Sequence, residues 1–294
     1  IFMCGIIGIQ YAPDNHSPIH NPDQFHAASN LISHRGPDDA GHYVETDPTV
    51  FLAHRRLSIL DLSPLGHQPM VGGDGQVVLI FNGEIYNFKN LRSSLEEKGF
   101  IFRGHSDTEV LLNLYLSEGE AMLSRLNGIF AFALWDRRTQ SLLLARDALG
   151  VKPLYYTALP DRFAFASEIK ALLPLLPEAG ALDAAALRRY LTFLWCPGEG
   201  TPLKSVRKLL PGDALVVRAG RIVRRWTWYR LPVFGGVAST FDEPAAVAGT
   251  LAHLRTAVQR QMVADVPVGA FLSGGLDSSA IVALAVIGIL AVMI

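Results

Sequence analysis

From Cys4 to Ile9 the chain is apolar without interruption, the pattern of a strand buried on both faces. Between Pro22 and Ser33 the period changes, with Phe25, Ala28, Leu31 and Ile32 at helical spacing. Leu52–Asp61 and Gln76–Phe81 read as strands, the second ending at Asn82-Gly83. Phe88–Lys98 places Leu91 and Leu95 on one helical face, with Gly99 after it. Ser106-Asp107-Thr108-Glu109 is a capping box, opening a helix that carries Val110, Leu111, Leu114 and Tyr115. Strands follow at Ile129–Trp135, Ser141–Arg146, Leu154–Thr157 and Phe163–Ala166, then helices at Glu168–Leu173 and Asp183–Leu194. Gly212–Val217 and Ile222–Trp228 can pair as a hairpin around Ala219-Gly220. Strands clustered in the middle, with helices before and after, predict packed sheets rather than one wound parallel sheet.

Leu231–Pro244 breaks this pattern with Pro232, Gly235, Gly236, Ser239 and Pro244, and reads as a linker. Beyond it, Ala245–Met262 is helical, Val266–Leu272 is a strand, Ser273–Ser278 is a Gly-rich loop and a helix follows. Ala280–Ile294 contains no polar side chain. It is shorter than the ~18–20 residues that span a bilayer, and its expected form is a buried helix whose neighbours are missing.

At 294 residues there is room for one large domain or two smaller ones. A net charge of −1 gives no electrostatic case for nucleic acid or an anionic membrane. Two cysteines, Cys4 and Cys196, cannot build a disulfide framework, which points to a reducing, cytoplasmic setting. No basic stretch precedes the first apolar run, so no targeting segment is expected.

Five places could carry chemistry, each with a plainer alternative. Cys4, near a chain end and at the head of a strand, is a candidate N-terminal nucleophile whose own α-amine could serve as base. It is otherwise a small buried strand residue. Arg56 could grip a carboxylate with its guanidinium fork, or be a solvated strand charge. Asn82-Gly83-Glu84 could supply an oxyanion hole from an amide and a glycine N–H, or be a hairpin turn. Asp107 could bind an ammonium group, or simply favour its helix N-terminus. Ser273-Gly274-Gly275-Leu276-Asp277-Ser278, between an apolar strand and an apolar helix, could aim N–H groups at an anion, with Asp277 suited to magnesium. It lacks the Gly-Lys-Ser/Thr ending of a Walker loop and the Gly-x-Gly-x-x-Gly of dinucleotide folds. His34-Arg35-Gly36-Pro37-Asp38 reads as a turn with polar contacts, and the nine histidines lack metal-helix spacing.

Taken in order, Cys4-Gly5-Ile6-Ile7-Gly8, His34–Asp38, Arg56-Leu57-Ser58-Ile59, Phe81–Asn87, Ser106–Glu109, Asp147–Tyr156, Ala166–Leu172 and Ser273–Ser279 resemble the glutamine-hydrolysing asparagine synthetases, which are class II, N-terminal-nucleophile glutamine amidotransferases. The likeness runs from Cys4 to about Ala285. It implies an α+β, four-layer αββα sandwich over residues 4–230, a linker over 231–244, and over 245–294 the start of an α/β ATP pyrophosphatase unit of the PP-loop type. It also implies roles. Cys4 would attack the side-chain amide of glutamine, with its α-amine as base and Asn82 and the Gly83 N–H holding the oxyanion. Arg56 would bind the α-carboxylate, Glu84 and Asp107 the α-amino group, and Leu57, Ser58, Ile59 and Leu60 would line the pocket. Leu272, Ser273, Gly274, Gly275, Asp277 and Ser278 would hold ATP, with Mg2+ at Asp277. The full reaction, a carbon–nitrogen ligation, would amidate aspartate through an aspartyl-adenylate. Glutamine, aspartate and ATP are then the expected partners, without nucleic acid or membrane and with room for a homodimer.

Two departures qualify this. Ile1-Phe2-Met3 precede Cys4, so the mechanism needs their removal, and Met3 looks like the start. The PP-loop unit is expected to be cut short, by truncation or a frameshift, leaving glutaminase activity only. An amidotransferase for another acceptor, an envelope sugar or secondary-metabolite carboxylate, and a non-catalytic fragment retaining the fold are the rival readings.

Overall fold

A computed structural model describes residues 3–13, 22–47, 49–176, 180–232 and 242–292. Two compact units emerge, residues 1–230 and 231–294. In the first, β1 (Gly5–Tyr11), α1 (Pro22–Asn30), β2 (Asp39–Thr46), β3 (Thr49–Arg56), β4 (Met70–Gly72) and β5 (Val77–Ile85) lead to two helices, α2 (Phe88–Glu97) and α3 (Asp107–Glu118). Then come β6 (Gly128–Asp136), β7 (Ser141–Arg146), β8 (Tyr155–Ala158), β9 (Arg162–Ala166), α4 (Ile169–Leu172), α5 (Ala184–Phe193), β10 (Arg207–Lys208), β11 (Asp213–Arg218) and β12 (Arg221–Thr227).

The strands form two six-stranded antiparallel sheets, ordered β10-β8-β9-β1-β3-β2 and β12-β11-β7-β6-β5-β4. Period-two alternation decides what each face buries. Ile6, Leu52 and Phe165 from the first sheet meet Ile80, Ala133, Trp135 and Leu215 from the second in the inter-sheet core. Ile7, Ile9 and Ala166 face the opposite way, packing with Phe25, Ala28 and Ile32 of the α1 region and with Leu172 of α4. The outer face of the second sheet is covered by α3, packed on β5 and β4, and by α2 packed on α3. The result is the αββα sandwich. Gly8 is where β1 needs a glycine, because a side chain there would strike the Phe165 ring in the inter-sheet layer.

Three expectations change. The strand expected over Leu52–Asp61 ends at Arg56, because the following segment folds back to give its carbonyls to the Arg56 guanidinium. The strand expected to end before Asn82-Gly83 runs on to Ile85, with β6 opposite it throughout. Val266–Leu272 is not a strand. Strands need a paired neighbour, and the described part of the second unit holds only the helices α6 (Glu243–Gln261) and α7 (Leu276–Val292).

Within the expected linker, residues 233–241 lie outside the described residues; Asp242 caps α6 and Pro244 sits in its first turn. Helix α7 starts at Leu276, inside the expected Gly-rich loop. Of the apolar stretch 280–294, Leu284 and Ala285 are buried, and the side chains from 287 onward lie outside the described residues.

Phe165 is fully buried between the sheets. Phe165→Ala should destabilise the first unit by about 3–5 kcal/mol in urea unfolding followed by near-UV circular dichroism. An unchanged midpoint would mean that this layer is not its core.

Candidate active site

The inward rows of three strands change character at one end of the sandwich. On β1 the row Cys4, Ile6, Gly8 begins with a thiol; on β3 Val50 and Leu52 give way to His54 and Arg56; on β5 Val78 and Ile80 give way to Asn82 and Glu84. A small pocket opens there, bounded by Cys4, Arg56, Asn82, Gly83, Glu84 and Asp107 among others. Every glutamine-site residue expected from the sequence lines it except Ser58, whose N–H instead donates to the Asp38 carboxylate at 2.8 Å.

Cys4 is half-buried. Its Sγ lies 3.4 Å from the Leu57 N–H and 3.6 Å from the Leu57 carbonyl. Burial pushes the thiol pKa up, with the Leu57 backbone bond and Arg56 opposing and Asp107 adding to the rise. The resting group is therefore a thiol rather than a thiolate. The Arg35 Nε donates to the Cys4 carbonyl at 3.0 Å, and Arg35 is itself held by Glu168 at 3.0 Å. The turn His34–Asp38 thus tethers the backbone of Cys4.

The backbone of β5 turns a row of N–H groups toward the pocket side. Odd-numbered residues there turn their N–H groups away from β6, toward the edge that β4 covers only as far as Leu79. Past that point the Phe81 N–H donates to the Gln68 side chain at 2.7 Å and the Ile85 N–H to the Asp107 carboxylate at 2.9 Å. The N–H of Gly83, between them, points to the same open edge, into the pocket. A side chain on Gly83 would collide with the Ile129 carbonyl and the Phe130 backbone of β6. Beside it the Asn82 amide is fully buried, and among the described residues neither its Oδ1 nor its Nδ2 has a hydrogen-bond partner. Leaving both atoms of a buried amide unpaired costs about 1–3 kcal/mol per group, so the site is built to receive a polar atom.

Charges flank this centre. The Arg56 guanidinium is buried and held by the carbonyls of Ser63, Leu60 and Asp61, the first two at 3.3 and 3.2 Å. Asp107, at the first turn of α3 behind the Ser106 cap, is pushed up to about 7, mainly by burial and further by Glu84, against its backbone bonds. Glu84 is raised by burial, with Lys152 opposing. The pocket lining thus carries one cation, Arg56, and two carboxyl groups, Glu84 and Asp107, a set that suits the carboxylate and ammonium of an amino acid.

The capping box is only half as expected. Ser106 Oγ caps the Glu109 N–H at 3.2 Å, but the Glu109 carboxylate accepts from the Arg103 and Gly104 N–H groups, both at 2.8 Å.

Sequence spacing did not single out Gln68, His54 or Lys152. The His54 Nε2 donates to the Phe81 carbonyl at 3.0 Å, tying the two sheets together beside Asn82. Burial holds its pKa near 3, so the ring is neutral. Lys152 is buried, and its Nζ contacts the Met3 sulfur.

In the second unit, Ser273, Gly274 and Gly275 precede the α7 N-terminus. Ser278 and Ser279 Oγ donate to the Gly275 carbonyl at 3.0 and 2.9 Å. Leu272 and Leu276 are exposed, and among the described residues no group of three His, Cys, Asp or Glu gathers to hold a metal around Asp277. These residues offer hydroxyls and a helix N-terminus but no enclosed nucleotide site.

An αββα sandwich with a thiol at the head of its first strand, beside a polar pocket, is the architecture of the N-terminal-nucleophile amidotransferases. Residues 3–229 match the family described as "Glutamine amidotransferase domain", and the chain belongs to that family. Residues 249–287 match "Asparagine synthase".

Among relatives, "Asparagine synthetase [glutamine-hydrolyzing] 1" of Bacillus subtilis is 38% identical over 96% of this chain and 44% of its own length. A putative asparagine synthetase of Mycobacterium bovis is 39% identical over 97% and 46%. Amidase chry2 of Gibberella zeae is 35% identical over 95% and 42%. The chain thus spans about half the length of the curated relatives it matches. In structure, the glutamine phosphoribosylpyrophosphate amidotransferase of B. subtilis shares the fold, with a TM-score of 0.54 at 19% identity over 76% of this chain and 49% of that one.

The raised Asp107 carboxyl makes a stability prediction. The folded chain holds this proton more tightly than the unfolded chain, so its contribution is full below pH ~4 and is lost as pH rises through about 7. Asp107→Asn keeps an acceptor for the Ile85 N–H. It should raise the urea midpoint at pH 8 while changing it little at pH 4. Equal midpoints at pH 8 would contradict a desolvated carboxylate.

Proposed function

We propose that the first unit hydrolyses the side-chain amide of glutamine, releasing glutamate and ammonia. The observation that carries this reading is the buried, unpartnered Asn82 amide next to the Gly83 N–H, in the pocket that holds Cys4. The Cys4 thiol passes its proton to its own amine and its sulfur bonds to the amide carbon. The oxygen that becomes negative is held by Asn82 and the Gly83 N–H. Collapse expels the amide nitrogen as ammonia, which takes the proton back, and leaves a thioester. Water then attacks the thioester, releasing glutamate and restoring the thiol. Arg56 grips the α-carboxylate, and Glu84 and Asp107 the α-ammonium. The Cys4 amine must be free, so the residues before it are removed in the active form.

For the whole protein we propose that the ammonia serves an ATP-dependent amidation of aspartate in the cytoplasm, with the Ser273–Ser278 loop and Mg2+ at Asp277 taking the nucleotide. The asparagine synthetase names of its relatives and the family match at 249–287 support this. The two free cysteines accord with a reducing compartment. The chemistry carried by the described residues ends at ammonia. A second reading, another amide acceptor, is favoured by the similarity to an amidase at nearly the same coverage.

The test is glutamate release by the chain beginning at Cys4. Cys4→Ala should abolish it, and Asn82→Ala should lower kcat by about 10²–10³ with little change in KM. KM for glutamine should fall as pH rises through about 7, because the ionised Asp107 binds the ammonium. Release that survives Cys4→Ala, or no release from folded, processed protein, would overturn the reading.

A further inference from the structure

Lys152 is 2% exposed, yet it is no ordinary core residue. Among the described residues the hydrogen-bond partner of its Nζ is the Met3 thioether, a weak acceptor. A buried ammonium so poorly matched is costly unless its charge is used.

The chain also fixes the loop that presents it. The Asp147 carboxylate accepts the N–H groups of Phe130, Leu149, Val151 and Lys152 at 3.2, 3.1, 3.0 and 3.0 Å. The Arg146 guanidinium donates to the carbonyls of Gly150, Lys152 and Leu209, each at 2.6 Å. Both clamps act on the backbone around residue 152, and from that fixed loop the side chain reaches Met3, the residue that precedes Cys4.

We propose that Lys152 is a positioning residue for the proton transfer: its buried ammonium, aimed at the head of β1, keeps the freed Cys4 amine in the uncharged form that can accept the thiol proton. This rests on the glutaminase reading above. When Met3 leaves, Lys152 loses that contact, and the new amine forms at the Cys4 nitrogen to which Met3 was bonded. A protonated amine would then share a buried site with a second cation, which disfavours it.

The other charges around Cys4 come from four directions. Arg35 lies on its carbonyl and is balanced by Glu168. Arg56 is on β3, Glu84 on β5, and Asp107 at the start of α3. Once glutamine binds, its carboxylate offsets Arg56 and its ammonium offsets the two carboxylates. Lys152 is then the charge on the amine with no counterpart in the bound substrate. Burial lowers its own pKa, while Glu84, Asp147 and Cys4 favour its charged form.

The test uses the full chain released to begin at Cys4 and labelled with [13C]cysteine, so that the Cys4 Cα shift reports its amine while Cys196 serves as an internal control. In Lys152→Met the amine should titrate on the order of one pH unit higher than in the parent. Lys152→Arg, which keeps the charge, should hold the parental midpoint, and near-UV circular dichroism confirms that both variants fold. The acid limb of kcat for glutamate release should move by the same amount in Lys152→Met only. Identical amine midpoints in the parent and Lys152→Met would overturn the proposal. So would loss of activity in both variants without a shift, which would make Lys152 the base or a packing residue. A parent that titrates as expected but releases no glutamate would instead count against the glutaminase reading.

Discussion

A strand that outruns its neighbour has backbone groups to satisfy, and the candidate site is organised by that requirement. Strand β5 continues to Ile85, but β4 leaves it after Leu79. Gln68, His54 and Asp107 come from three other parts of the chain to meet the Phe81 N–H, the Phe81 carbonyl and the Ile85 N–H. The Gly83 N–H is left over at the centre of this repair, in the pocket with Cys4. It is thus a backbone donor that neither neighbouring strand takes up, since it faces away from β6 and β4 stops at Leu79.

The same constraint explains why the charged groups are costly and retained. Asp107 serves the Ile85 N–H and is therefore buried, which is why its carboxyl sits near neutrality. Arg56 must be buried to face the pocket, and three carbonyls of the segment after β3 compensate it. That segment cannot also be strand, so the two facts share one cause. Arg35 and the Asp147–Arg146 pair do similar work on the backbone, fixing the head of β1 and the loop that carries Lys152. Such preorganisation is what stabilises charge developing in a transition state.

Much of the fold was legible because one interior layer imposes period two on every strand that borders it. Cys4, Arg56 and Asn82 could be found singly, each with a plainer alternative. The alternation that joins them, in which apolar inward rows turn polar at the same end, lay in the sequence but is decided only by register between strands. Asn82-Gly83 illustrates the limit. Locally it reads as a hairpin turn, and only the full-length partner β6, pressing close enough to exclude a side chain at 83, keeps it in the strand. Gln68, His54 and Lys152 were not legible as site residues, since each acts on a group distant in sequence. Val266–Leu272 failed for the opposite reason: its strand pattern has no neighbour to pair with among the described residues.

The central claim is that Cys4 is a nucleophile addressed to the amide carbon of an amino acid held by Arg56, Glu84 and Asp107. The most direct measurement exposes the chain beginning at Cys4 to a glutamine analogue with an electrophilic carbon in place of the amide, and locates the adduct by peptide mass spectrometry. One adduct per chain, on Cys4 and suppressed by excess glutamine, is the predicted result. An adduct on Cys196, or labelling of Cys4 that glutamine does not suppress, would contradict it.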